Sequence, residues 1–79
     1  MRILDQDDDK SINTVTLYLE SNEAKELRDC LDQLLKKPLN NHIHVSDEKF
    51  EHELTVCMYD TSNLNGFNDR SKKLIIEDV

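Results

Sequence analysis

The 79-residue sequence is 37% apolar and 34% charged, with 17 acidic against 10 basic residues and a formal charge of −7. A chain this short is expected to form one small domain, residues 1–79, with a single core layer that buries about 60% of its unfolded surface and leaves no depth for a catalytic cleft. The negative balance argues against nucleic acid and against anionic membrane surfaces, because both require a positive field, and it favours a basic protein partner.

Composition narrows the chemistry further. With one glycine and one proline, the chain cannot build a phosphate loop, a dinucleotide fingerprint or a nucleophile elbow. No internal repeat appears. No apolar run approaches the roughly 18 residues that span a membrane. Met1-Arg2-Ile3-Leu4-Asp5 turns acidic at once and lacks an apolar signal core. A cytoplasmic protein is therefore expected, with Cys30 and Cys57 as free thiols.

In chain order, Ile3 and Leu4 open a short first strand, and Asp5-Gln6-Asp7-Asp8-Asp9-Lys10 reads as an exposed acidic turn. Read as a calcium loop starting at Asp5, it places Lys10 and Thr16 where glycine and glutamate are required, so that reading fails. From Asn13 to Glu20 the residues alternate: Val15, Leu17 and Leu19 face one way, and Thr14, Thr16, Tyr18 and Glu20 the other. Period two with β-branched and aromatic residues predicts a half-buried strand.

Ser21 to Pro38 predicts an amphipathic helix of about four turns. Ala24, Leu27, Cys30, Leu31, Leu34 and Leu35 fall within an arc of roughly 140°. Ser21 is the expected N-cap, Glu23 suits the positive pole, Lys36 and Lys37 suit the negative pole, and Pro38 stops the helix. Leu31 is expected at the centre of the buried stripe, opposite Leu17.

Leu39-Asn40-Asn41 reads as a connector. His42 to Val45 and Glu51 to Tyr59 alternate again and predict a hairpin. Burying Ile43 and Val45 with Leu54, Val56 and Met58 fixes the parity. A loop from Asp47 to Phe50 then sets His44 opposite Glu53, Ile43 opposite Leu54, and Val45 opposite a partly buried His52. Asn65-Gly66 signals a turn. In the tail, Leu64, Phe67, Leu74 and Ile75 fit a helical stripe, while Leu74-Ile75-Ile76 also fits an edge strand; the helix is the preferred reading. The predicted fold is α+β: a mainly antiparallel sheet of three to four strands, one long amphipathic helix packed on one face, and a short C-terminal helix.

The sharpest chemical feature is His42-x-His44, which on a strand places both rings on one face at roughly 6.5–7 Å spacing. Glu53, Thr55 and Cys57 share that face. A third ligand from Glu53 or Cys57 would complete a zinc site or a metal-dependent enzyme. Against this stands an ordinary polar hairpin face with a His44–Glu53 cross-strand pair. Cys57 has no basic neighbour or helix N-terminus to activate it as a nucleophile. No catalytic, cofactor-binding or metal residue is assigned. The face left open by the helix carries Tyr18, His42, His44, Glu53, Thr55, Cys57 and Tyr59, a mixture suited to a protein partner; the C-terminal segment covering it is the alternative.

The succession of a strand, a helix beginning Glu23-Ala24-Lys25-Glu26-Leu27, then His42-x-His44 and Leu54-Thr55-Val56 resembles small acidic bacterial α+β proteins of the polymorphic-toxin immunity type. The resemblance implies a non-catalytic protein that binds and neutralises a toxin or associates with another protein. Two further readings stay open beside it, the metal-binding one and a structural homodimer through the open sheet face or an edge strand.

Overall fold

A computed structural model of the chain describes residues 1–37 and 42–79. Its elements are β1 (Leu4–Asp5), β2 (Lys10–Ser11), α1 (Ser21–Lys36), β3 (His42–Ser46), β4 (Glu53–Cys57) and α2 (Asp69–Glu77). The protein is thus α+β. Its described strands form two separate antiparallel pairs, β1–β2 and β3–β4, in place of the predicted sheet of three to four strands. The chain forms two compact units, one from Met1–Leu17 with Asp60–Val79, the other from Tyr18–Tyr59.

In the Tyr18–Tyr59 unit, α1 starts at Ser21, but the flanking cap residue is Glu20 and not Ser21. The backbone N–H of Glu20 donates to Glu23 Oε1 at 2.8 Å, half of the reciprocal exchange that fixes a helix start. Glu23 therefore serves both the cap and the positive pole. At the far end Lys36 Nζ lies 2.8 Å from Asp32 Oδ2, one turn back.

The apolar stripe of α1 is only half covered. Leu34 is 2% exposed, and Leu27 and Cys30 are half-buried. Ala24, Leu31 and Leu35 on the other flank are exposed. The buried edge runs along α1 where it lies beside β3, whose Val45 is 4% exposed. Leu34, and not Leu31, is the buried centre. The physical reason is sheet width: two strands about 4.8 Å apart cannot cover an arc that needs a third.

That third strand is absent from the described residues. Residues 14–20 carry no assigned structure and join no ladder. Val15, Leu17 and Leu19 are exposed, so the predicted pairing of Leu17 with Leu31 in one core is overturned. Alternation and β propensity favour a strand only when a ladder partner is present.

The hairpin forms with the expected parity and a shifted register. His42 pairs with Cys57, Ile43 with Val56, His44 with Thr55, Val45 with Leu54 and Ser46 with Glu53. The shift of two residues keeps every side chain of β3 and β4 on its predicted face, but it lengthens the connection to residues 47–52 and takes His52 out of the ladder. The connector Leu39–Asn41 and the helix stop at Pro38 lie outside the described residues.

The other unit joins the β1–β2 ribbon to α2. Asp5 Oδ1 accepts from the backbone of Asp7 and Asp8 at 3.0 and 3.3 Å, and Asp9 closes the turn at φ 53°, a conformation aspartate tolerates better than most residues. The acidic run is thus a turn whose carboxylates hold its own backbone. The tail is helical, as preferred: Asn68 caps α2 by accepting from Ser71 N at 2.8 Å, and Leu74 and Ile75 are buried. Arg2 Nε donates to the carbonyls of Leu74 and Ile75 at 3.1 and 3.2 Å. Arg70 Nε donates to Asp9 Oδ1 at 2.8 Å. These contacts fasten the ribbon to the helix.

Candidate functional site

Strand alternation places His42, His44 and Ser46 of β3 on one face with Glu53, Thr55 and Cys57 of β4, the face opposite buried Val45. Five of the seven residues predicted for an interaction face therefore stand together: His42, His44, Glu53, Thr55 and Cys57. Tyr18 and Tyr59 lie outside both strands, so the ladder does not seat them with the histidines. Tyr18 is 92% exposed, and Tyr59 is half-buried.

Three side chains on this face close into one cluster. His44 Nδ1 lies 2.8 Å from Glu53 Oε1 and 2.8 Å from Thr55 Oγ1. The Thr55 hydroxyl donates to Glu53 Oε1 at 3.4 Å. The expected His44–Glu53 pair is made diagonally across the ladder, since the register seats Thr55 directly opposite His44. The His42 ring stands edge-on to His44, with centroids 5.2 Å apart and planes at 73°. The Glu53 carboxylate fixes the imidazole orientation, so the cluster presents oriented polar groups on an ordered hairpin.

Burial opposes activation of the Cys57 thiol. Both cysteines are free, Cys30 half-buried and Cys57 on the surface. Partial burial of its sulfur raises the Cys57 pKa above its ordinary value. At neutral pH the sulfur is then held as the thiol, whereas the thiolate is the nucleophile and metal ligand. Among the described residues, no three His, Cys, Asp or Glu side chains are placed to hold a metal ion.

His52 departs from expectation. It was assigned to the inward face beside Val45, yet its side chain is 85% exposed, because the register shift puts it in the loop. There it answers Asp47. The Asp47 carboxylate accepts from Glu51 N at 2.7 Å and His52 N at 3.3 Å, and its second oxygen lies 2.7 Å from His52 Nδ1. This hydrogen bond and the opposing charge raise the His52 pKa and lower that of Asp47. The signal for this arrangement was Asp47 itself, since aspartate after a strand commonly hydrogen-bonds backbone a few residues on. Phe50, in the same loop, is 83% exposed and left-handed at φ 56°.

In the other unit an open hollow is lined by Lys10, Ser11, Arg70, Lys73 and Asp78 among others. Arg70 is committed to Asp9 there, so the hollow does not gather charge of one sign. No described helix is long and apolar enough to cross a membrane. Comparison with protein-family models, curated proteins and solved structures finds no match.

Proposed function

We propose that this chain is a non-catalytic protein-interaction module acting in the cytoplasm, and that the hairpin face of His42, His44, Glu53, Thr55 and Cys57 is its contact surface. The observation that carries the reading is the His44–Glu53–Thr55 cluster. Its groups are oriented before any partner arrives, which lowers the ordering cost of binding. The formal charge of −7 supports a basic partner, because charge complementarity steers encounter. An immunity- or inhibitor-type role, in which the partner is a toxin, fits a small acidic binder of this kind.

The test is affinity capture from the source cell at low and moderate salt, with the native chain and with Thr55→Arg, which places a bulky cation at the centre of the face. The expected result is one basic protein captured by the native chain, weakened by salt and lost with Thr55→Arg. Equal recovery with both baits, or no partner at either salt concentration, refutes the proposal.

A further inference from the structure

We propose that Asn65 is a self-modification site, at which the backbone nitrogen of Gly66 attacks the Asn65 side-chain amide and expels ammonia. The isoaspartate that results loosens the entry to α2. The site lies wholly within the unit formed by Met1–Leu17 and Asp60–Val79 and is independent of the hairpin face.

The one glycine of the chain sits in a turn held by short polar side chains. Asp60 Oδ1 accepts from Ser62 N at 2.9 Å, and Asn63 Oδ1 accepts from Asn65 N at 3.1 Å. Phe67 N donates to Leu64 O at 3.3 Å, which leaves Asn65 and Gly66 as the two central residues of a β-turn. Gly66 stands at φ 92°, the left-handed value that a type II turn requires there and that glycine supplies. Both Asn65 and Gly66 are exposed. Among the described residues, the Asn65 side chain makes no hydrogen bond and the Gly66 N–H donates none. The bond that closes the turn is at the long end of the range, so little holds the pair out of the attacking geometry.

The reaction needs only water and hydroxide. Hydroxide removes the proton of the Gly66 N–H, and the nitrogen forms a bond to Asn65 Cγ. The bond from Cγ to the amide nitrogen breaks, and that nitrogen takes a proton from water and leaves as ammonia. Water then opens the five-membered imide. Cleavage between Cγ and the Gly66 nitrogen gives aspartate. Cleavage between the backbone carbonyl carbon and that nitrogen gives isoaspartate, whose main chain runs through the side chain and is one carbon longer. Either product carries one more negative charge than asparagine.

No other described asparagine combines these features. Asn13 precedes β-branched Thr14, whose side chain crowds the attacking nitrogen. Asn22 lies in the first turn of α1, where the helical backbone holds the next amide along the axis. Asn63 precedes Leu64, and its Oδ1 is committed to Asn65 N. Asn68 precedes Asp69, and its Oδ1 caps α2 by accepting from Ser71 N. Only glycine leaves the nitrogen with no Cβ beside it.

The place of the turn gives the reaction a structural consequence. Half-buried Phe67 follows the pair, and Asn68 then holds the start of α2 through Ser71 N and, from its carbonyl, through Lys72 N at 3.0 Å. One added main-chain carbon displaces Phe67 N from Leu64 O and shifts this cap. Aspartate keeps the chain length and leaves the cap in place.

Timed incubation of the native chain at neutral and alkaline pH, followed by peptide mass mapping, follows each asparagine separately. The expected result is conversion of amide to acid at Asn65 at least about tenfold faster than at Asn13, Asn22, Asn63 or Asn68, at a rate that rises with hydroxide. In concentrated urea Asn68 should accelerate, because its side chain is released from the cap, while Asn65 should stay within a few fold of its folded rate. The isoaspartate form, separated chromatographically, should exchange the Ser71 and Lys72 amide hydrogens at least about fivefold faster than the native chain. Asn65→Asp, which adds the charge without the extra carbon, should leave that exchange unchanged. Equal rates at Asn65 and Asn68, strong acceleration of Asn65 in urea, or native exchange in the isoaspartate form overturns the proposal.

Discussion

Leu34→Ala is the sharpest test of how the Tyr18–Tyr59 unit is held together. Leu34 is 2% exposed and Leu31, one turn earlier on the same stripe, is 40% exposed. The substitution removes three buried carbons, worth about 0.8 kcal/mol each, and leaves a cavity that adds about 1 kcal/mol. The expected loss is about 3 kcal/mol. Leu31→Ala deletes the same atoms from a site already open to water, so no cavity forms and the loss should be about 1 kcal/mol. A chain of this length holds roughly 4–12 kcal/mol in all, which makes the first change severe and the second tolerable. Urea unfolding resolves them: with a slope of about 1 kcal/mol/M, the midpoints should fall by about 3 M and about 1 M. Tyrosine fluorescence is the suitable signal, since both tyrosines, Tyr18 and Tyr59, belong to this unit. Equal midpoint shifts for the two variants would show that the helix does not bury its Leu34 edge.

Two other outcomes follow from the β3–β4 loop. The His52 pKa is raised by Asp47 and the Asp47 pKa is lowered by His52. The His52 contribution is therefore complete below about pH 6.5, its ordinary value, and fades as pH rises through the raised value. The Asp47 contribution is complete above about pH 4 and fades as pH falls through the lowered value, so the pair stabilises most between about pH 4 and 6.5. Proton NMR of the His52 ring should show its titration moving back toward 6.5 in Asp47→Asn, and an unmoved titration contradicts the pairing. Phe50 occupies a left-handed conformation that costs a side chain with Cβ roughly 1–2 kcal/mol, and it buries little in return. Phe50→Gly should raise stability by about 0.5 kcal/mol after the added freedom of the unfolded chain is counted; a lower urea midpoint would contradict this.

What could be read from the residues divides along a physical line. The extent of helix α1 was legible because charge and period act within a few residues, although its cap is Glu20 and not Ser21 and the stop at Pro38 lies outside the described residues. The parity of the hairpin was legible for the same reason, as alternation decides which face is buried. Its register was not, because Asp47 gathers the backbone of Glu51 and His52 into a longer loop, and that contact moved His52 from an expected core position to the surface. The segment Thr14–Glu20 misled most. Its alternation is that of a strand, but a strand requires a partner, and no local pattern supplies one. The site followed suit: His42, His44, Glu53, Thr55 and Cys57 share a face by alternation alone, whereas Tyr18 lies in the segment that joins no ladder among the described residues and Tyr59 lies beyond the last residue of β4.

The division of the chain orders its folding in time. Tyr18–Tyr59 is continuous, whereas the other unit is assembled from Met1–Leu17 and Asp60–Val79. On a ribosome the β1–β2 ribbon emerges before α2 and must wait for Leu74 and Ile75, whose carbonyls Arg2 grips. The helix and hairpin between them can form in the interval. While that stretch is flexible, closing the ribbon onto α2 means closing a long loop, whose entropic cost grows with each residue left loose. A defect in α1 or in the hairpin thus delays the joining of segments that belong to the other unit, and a protease nick in residues 18–59 breaks the chain within one unit and between the two segments of the other.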